Sequence, residues 1–140
     1  MDDPEWITAS RRFLAFLESD GEGSAAELAR ELEHLLSAGA DVGLPETDEE
    51  APQRDALATY KRWYACAQRR FPALADSDDE TGGRWVGDDL ADIATELEQA
   101  VDLWEAGLSR AAQWEFRFGW QTHWGPDHAR TLLDWLRTTT

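Results

Sequence analysis

The sequence predicts an all-α protein, a bundle of five or six helices in a single domain spanning residues 1–140. Apolar side chains recur at intervals of three and four residues along most of the chain, which is typical of amphipathic helices. No stretch of any length shows the alternation of a β-strand. Proline and glycine fall between the apolar stretches, where helices begin and end. A chain of 140 residues is most naturally one domain.

The first two helices carry start and stop signals. Proline is favoured at the first position of a helix, so Pro4 predicts a helix over about residues 4–19 with Asp3 as its N-cap. Gly21 and Gly23 follow it. The sequence Ser24-Ala-Ala-Glu27 is a capping box, in which the two outer side chains bond each other's backbone N–H groups. It predicts a second helix that stops at Gly39.

The third helix is placed by two prolines. The sequence Thr47-Asp-Glu-Glu50 has the pattern of another capping box. Because proline is tolerated only in the first turn of a helix, Pro52 predicts that the helix begins close by. Pro72 ends it. The polar, acidic and glycine-containing stretch that follows, residues 76–83, predicts a mobile loop.

Three further helices complete the predicted bundle. The fourth begins near Asp88, has the strongest apolar periodicity in the chain and ends at Gly107. Ser109 is placed to cap the fifth helix, which Gly125 and Pro126 break after Trp124, and Pro126 then begins a sixth helix. Because short connections join antiparallel neighbours, the turn at Gly107 predicts that the fourth and fifth helices are antiparallel and in contact.

The composition excludes several classes of protein. One cysteine, Cys66, permits neither an intramolecular disulfide framework nor a cysteine-rich zinc site. The net charge of −16 argues against nucleic acid as a ligand, because phosphate binding needs a basic surface. The acidic start lacks the pattern of a signal peptide, and no window approaches the roughly eighteen apolar residues of a membrane span. We therefore expect a soluble, cytoplasmic protein without a membrane partner.

The negative charge is concentrated in two blocks. Residues 1–50 hold 3 basic and 14 acidic side chains, a net charge of −11. Residues 76–105 hold 1 basic and 11 acidic side chains, a net charge of −10. Such blocks serve solubility and helix starts, and they also permit an acidic face that meets a basic protein partner. The sequence sets no oligomeric state.

The fifth helix holds the most unusual stretch, with three tryptophans and two phenylalanines within the eleven residues 114–124. On a helical wheel these rings form two arcs, which predicts a central helix packed on two sides. We expect four of them to be largely buried: Trp114, Phe118, Trp120 and Trp124. Polar side chains between the arcs must be paired or must face a pocket, and they are candidate binding residues: Glu115, Arg117 and His123.

The fourth helix contributes two further candidates, Asp92 and Glu96. They lie too far along the helix to be explained by its dipole, whose effect is confined to the first turn. With His123, and with His128, they could bind a divalent metal in a bundle core, although the spacings typical of such sites are absent. We expect Arg117 to be structural and paired with Asp92 or Glu96, which leaves His123, with Glu115, as the better site candidate.

Three segments of the second half resemble a bacterial family known only as domain of unknown function 5063. They are Gly87-Asp-Asp-Leu-Ala-Asp-Ile93, Trp114-Glu-Phe-Arg-Phe118 and Thr122-His-Trp-Gly125, in this order. The resemblance covers about residues 85–137. Ala94 replaces an aromatic residue usual in the family, and Pro126-Asp127 follows the last segment. The resemblance implies the helical fold and brings no established activity.

The sequence favours a non-enzymatic binding or adaptor protein, of the immunity or inhibitor kind, that engages a basic protein partner. The alternative is a helical bundle that binds a small ligand or a divalent metal near Asp92, Glu115 and His123. A third hypothesis is an inhibitor that mimics DNA. No nucleophilic motif and no phosphate-binding glycine loop is present, so an enzyme is disfavoured and we expect no cofactor.

Overall fold

The structure, a computed structural model, describes residues 2–75 and 85–139. The predicted loop at residues 76–83 lies outside these ranges. The described residues are all-helical and contain no strand, which confirms the predicted class. They form α1 (Glu5–Glu18), α2 (Ala25–Gly39), α3 (Ala56–Arg70), α4 (Pro72–Ala75), α5 (Val86–Glu105), α6 (Ser109–Thr122), a π-helical segment (Trp124–Arg130) and α7 (Thr131–Thr139). The predicted number of helices, five or six, was too low, because the sequence analysis did not predict the short helix α4 that follows α3.

Helix α5 lies at the centre of the protein. It contacts α1, α3, α6 and the π-helical segment. Its predicted apolar stripe is buried, with Leu90, Ile93 and Leu97 fully inaccessible. Helix α6 returns antiparallel along α5 after a turn at Gly107, whose φ of 84° is the left-handed conformation that favours glycine. The predicted contact between these two helices is confirmed.

Helix α6, by contrast, is not the central helix that the two aromatic arcs predicted. Trp124, just beyond its end, is fully buried. Trp114 and Trp120 are half-buried, and Phe118 is 41% exposed. The arc of Trp114 and Phe118 is only partly covered by the helices that contact α6, so the prediction of burial was wrong for Phe118, whereas Trp114 and Trp120 keep most of their surface covered.

The predicted helix cap at Ser24 is confirmed, whereas the predicted caps at Asp3 and Thr47 are not formed. The capping box at Ser24 is confirmed in both of its hydrogen bonds. Asp3 does not cap α1, because its carboxylate accepts hydrogen bonds from Arg11 and from the indole of Trp104. The capping box predicted at Thr47 is wrong too. Helix α3 begins only at Ala56, where Asp55 caps it.

The segment before α3 supplies a hydrogen-bond acceptor to the first turn of helix α6. The Glu49 carboxylate accepts a hydrogen bond of 2.8 Å from the backbone N–H of Ala111, in the first turn of α6. Ser109, predicted to cap that helix, is instead its first residue, and its N-cap Leu108 has no side-chain hydrogen bond. A distant carboxylate therefore satisfies an N–H group that local sequence leaves unpaired.

Arginine side chains donate hydrogen bonds to backbone carbonyls at the C-terminal ends of helices α1 and α2. Arg70 is almost fully buried and donates to the carbonyls of Phe16 and Gly21, near the end of α1. Arg117 donates to the carbonyls of Gly39 and Ala40 at the end of α2. The terminal carbonyls of a helix lack partners within it and carry partial negative charge, so a guanidinium satisfies both demands.

In the described part of the chain, no helix combines the length and apolarity needed to cross a membrane.

Candidate functional site

The site is built on the first half of α5. Asp89, Asp92 and Glu96 follow one another at spacings of three and four residues, which places them on one face of the helix. That face is turned towards the end of α6 and the π-helical segment. Asp88 lies beside them and accepts a hydrogen bond of 2.5 Å from the hydroxyl of Tyr60, on α3. One face of α5 thus gathers four carboxylates.

The π-helical segment brings two histidines to this face. Helix α6 ends at Thr122, two residues earlier than predicted, and His123 is its C-cap. His128 follows five residues later, and a π-helix stacks residues five apart because its hydrogen bonds join those residues. The two imidazole rings lie edge to face with their centroids 4.9 Å apart.

Each histidine is oriented by a carboxylate of α5. Nδ1 of His123 is hydrogen-bonded to Oε2 of Glu96, and Nδ1 of His128 to Oδ1 of Asp89, both at 2.8 Å. Nε2 of His128 lies 3.2 Å from Oδ2 of Asp92. One potential ligand atom each from Asp92, His123 and His128 lies within 4.8 Å of the other two. Asp88, Asp89 and His128 form an overlapping group.

The charges at this site are only partly compensated. Burial raises the pKa of Asp92, opposed by the charge of His128, and burial raises the pKa of Glu96, opposed by His123. Burial on its own would lower the pKa of His128. The hydrogen bond that His128 donates to Asp89 and the charge of Asp92 outweigh burial and raise the pKa of His128. The carboxylates therefore favour a positive charge at this position.

The arrangement suits a divalent cation. Imidazole nitrogen and carboxylate oxygen lie about 2.0–2.2 Å from a bound zinc ion, so two such ligands in a tetrahedral site are about 3.4 Å apart. The pair formed by His128 and Asp92, at 3.2 Å, needs little adjustment. The His123 side chain is 46% exposed, which gives the site access to solvent. Three protein ligands would leave a coordination position open.

The structure brings together three of the five candidate residues, Asp92, Glu96 and His123, and adds His128. Arg117 lies elsewhere. Its guanidinium bonds the carbonyls at the end of α2 and stacks on the Trp120 ring at 4.2 Å. Its structural role was thus foreseen, but the expected carboxylate partners were wrong, because helix-end carbonyls take all of its described hydrogen bonds except the one to Gln121.

Glu115 does not join the cluster either. It lies two turns before His123 on α6, half-buried, and pairs with none of the described residues. Burial raises the pKa of its carboxyl group. The folded protein thus holds a carboxylate that has lost part of its hydration without gaining a partner.

We expect Glu115→Gln to stabilise the protein at neutral pH. A group whose pKa is raised by folding contributes stability below its unfolded pKa and loses it as pH rises through the folded pKa. The gain in unfolding free energy should therefore shrink as pH falls from about 7.5 to about 5. Urea denaturation across this range measures it, with the exposed Asp134→Asn as a control for net charge. A gain that grows on acidification would contradict the assignment.

Sequence reasoning missed the roles of Asp89 and Tyr60 and undervalued His128. The position of Asp89 in the first turn of α5 points only to a dipole role, yet Asp89 is 2% exposed and accepts a hydrogen bond from His128. The available signal was the spacing of His123 and His128. Side chains five residues apart lie about 140° apart around an α-helix. Only a π-helical turn brings two such side chains onto the same face.

Comparisons with known proteins identify the family of the chain and a solved structure with the same fold. The chain belongs to the family described as domain of unknown function (DUF5063), whose model matches residues 63–137. The match confirms the resemblance noted above and extends it into α3. All the cluster residues on α5 and the π-helical segment lie inside it.

A solved structure shares the fold. It is protein BF1032 from Bacteroides fragilis, which is 19% identical to the chain, with a TM-score of 0.76 over 96% of this chain and 92% of that one. No match was found among curated proteins.

Proposed function

We propose that the protein binds a divalent transition-metal ion through Asp92, His123 and His128. The observation that carries the proposal is the orientation of the two imidazoles. Each uses Nδ1 to bond a carboxylate of α5, which directs Nε2 away from that carboxylate. Metal-binding histidines show this arrangement, because the carboxylate fixes the ring and raises its basicity.

The ligand types indicate which metals to expect. Two imidazoles and one carboxylate suit Zn²⁺, Co²⁺ or Fe²⁺, whereas Mg²⁺ and Ca²⁺ favour oxygen ligands. Glu96 and Asp89 would act as outer partners of the two histidines. Binding would also offset the negative charge that α5 concentrates here. The proposal corresponds to the metal-binding alternative of the sequence analysis, with His128 in place of Glu115.

Calorimetric titration of the chelator-treated protein with Zn²⁺ tests the proposal. We expect one ion per chain, and His123→Ala should weaken binding by at least about 100-fold, because it removes a ligand. Glu96→Gln should weaken it by about 10–100-fold, since it disturbs only the orientation of His123. Co²⁺ should bind at the same place, and its visible absorption reports the coordination number.

His34→Ala is the matched control, because His34 lies on α2, away from the cluster. This variant should bind Zn²⁺ like the unaltered protein. If all four proteins bind Zn²⁺ equally, or if none binds it, the proposal fails. Thermal melts of each variant establish that a loss of binding is not a loss of folding.

A basic protein partner is the second candidate function. It is supported by the net charge of −16 and by exposed carboxylates between α2 and α3, among them Glu46, Asp48 and Glu50. Such a charge accelerates and orients the approach of a basic protein more than it determines affinity. This adaptor hypothesis therefore needs a contact surface.

A further inference from the structure

The outer face of α6 carries a pair of stacked aromatic rings. The rings of Trp114 and Phe118 are nearly parallel, at 10°, with centroids 4.6 Å apart. They are neighbours on the helix because they lie four residues apart. Phe118 is 41% exposed and Trp114 half-buried, although rings of this size are normally buried. One flat aromatic surface therefore faces solvent.

Glu115 lies directly beside this surface, since residues three apart, such as Glu115 and Phe118, are neighbours on a helix. Its carboxylate has no partner among the described residues, as shown above. Burial of an unpaired carboxylate costs stability. A cation from another molecule would recover that cost.

The nearby arginines do not supply such a cation. Arg110, one turn before Trp114, lines a cleft with three residues of the preceding segment, Glu46, Thr47 and Asp48. Arg117 is held by the carbonyls at the end of α2. The uncompensated charge at the aromatic pair is therefore that of Glu115.

We infer that Trp114, Glu115 and Phe118, the α6 stripe, bind an arginine side chain of a basic partner protein. A guanidinium is planar, so it stacks on an aromatic face while its edge donates two hydrogen bonds to a carboxylate. A lysine ammonium is also attracted to an aromatic face, but it is not planar and has no fork that matches the carboxylate. The inference rests on the second candidate function, for which it supplies the contact surface, and is independent of the metal site.

NMR titration of the ¹⁵N-labelled protein tests the inference. The probes are a capped glycine peptide with two arginines and its lysine counterpart, at about 0.1 M salt. We expect the arginine peptide to shift the indole resonance of Trp114 and to bind more tightly than the lysine peptide. Its Kd should rise about tenfold in Glu115→Gln, which loses a charge-assisted fork, and about two- to fivefold in Phe118→Ser.

Trp85→Ala is the matched control, because Trp85, the N-cap residue of α5, is 63% exposed and lies outside the stripe. It should leave the Kd unchanged. If the peptide binds with the same Kd to all variants, the inference is overturned while a basic partner elsewhere on the surface stays open. If no basic peptide binds at any concentration tested, the inference and the second candidate function fail together.

Discussion

Trp124→Ala should lower the free energy of unfolding by about 3–5 kcal/mol, as expected for loss of a fully buried tryptophan. Trp124 has no exposed surface, and its ring meets Phe116 edge to face with centroids 5.3 Å apart. It also fills the space over Gly119, where any side chain would collide with it. The truncated side chain would leave a cavity between α6 and the π-helical segment.

Chemical denaturation measures this loss, with Trp85→Ala as its matched control. Trp85 is largely exposed, so its replacement should change the unfolding free energy by no more than about 0.5 kcal/mol. Equal effects of the two substitutions would mean that the core between α6 and the π-helical segment is misplaced.

Gly125→Ala should destabilise the protein by about 3 kcal/mol, the upper end for an added buried methyl group. A Cβ atom at this position would overlap the backbone carbonyl of Trp120, and backbone cannot move aside as a side chain can. The π-helical segment would have to rebuild, which separates His123 from His128. We therefore also expect Zn²⁺ affinity to fall by at least about 100-fold.

Gly107→Ala provides the same substitution at a remote turn. No atom lies near its added methyl group, but the left-handed backbone costs about 1–2 kcal/mol. Stability should fall by that amount while Zn²⁺ affinity stays unchanged. If Gly125→Ala binds Zn²⁺ as tightly as Gly107→Ala does, the π-helical segment is not what assembles the site.

Local signals predicted most of the fold. The capping box at Ser24 and the apolar periodicity of α5 depend on neighbouring residues, and both were read correctly. The capping box at Thr47 failed: the Thr47 hydroxyl accepts from the backbone N–H of Glu49 without starting a helix, and the Glu49 carboxylate bonds the backbone of Ala111, 62 residues away. A sequence pattern cannot distinguish a local cap from such a distant one.

The candidate site was predicted in part. Asp92, Glu96 and His123 were selected because the helix dipole and the apolar core left them unexplained. His128 received less weight because it lies beyond the predicted helix break at Gly125 and Pro126, and the sequence did not predict the π-helical turn that places it beside His123. Phe118 was expected to be buried because its side chain is hydrophobic. Hydrophobicity alone does not reveal how many helices surround α6.

Anomalous diffraction from crystals grown with Zn²⁺ is the most direct test of the metal site. We expect one strong peak per chain at the zinc edge, about 2.0–2.2 Å from Nε2 of His128 and from a carboxylate oxygen of Asp92, with His123 completing the protein ligands. A crystal with Zn²⁺ bound only elsewhere, while His128 still bridges Asp89 and Asp92, would contradict it.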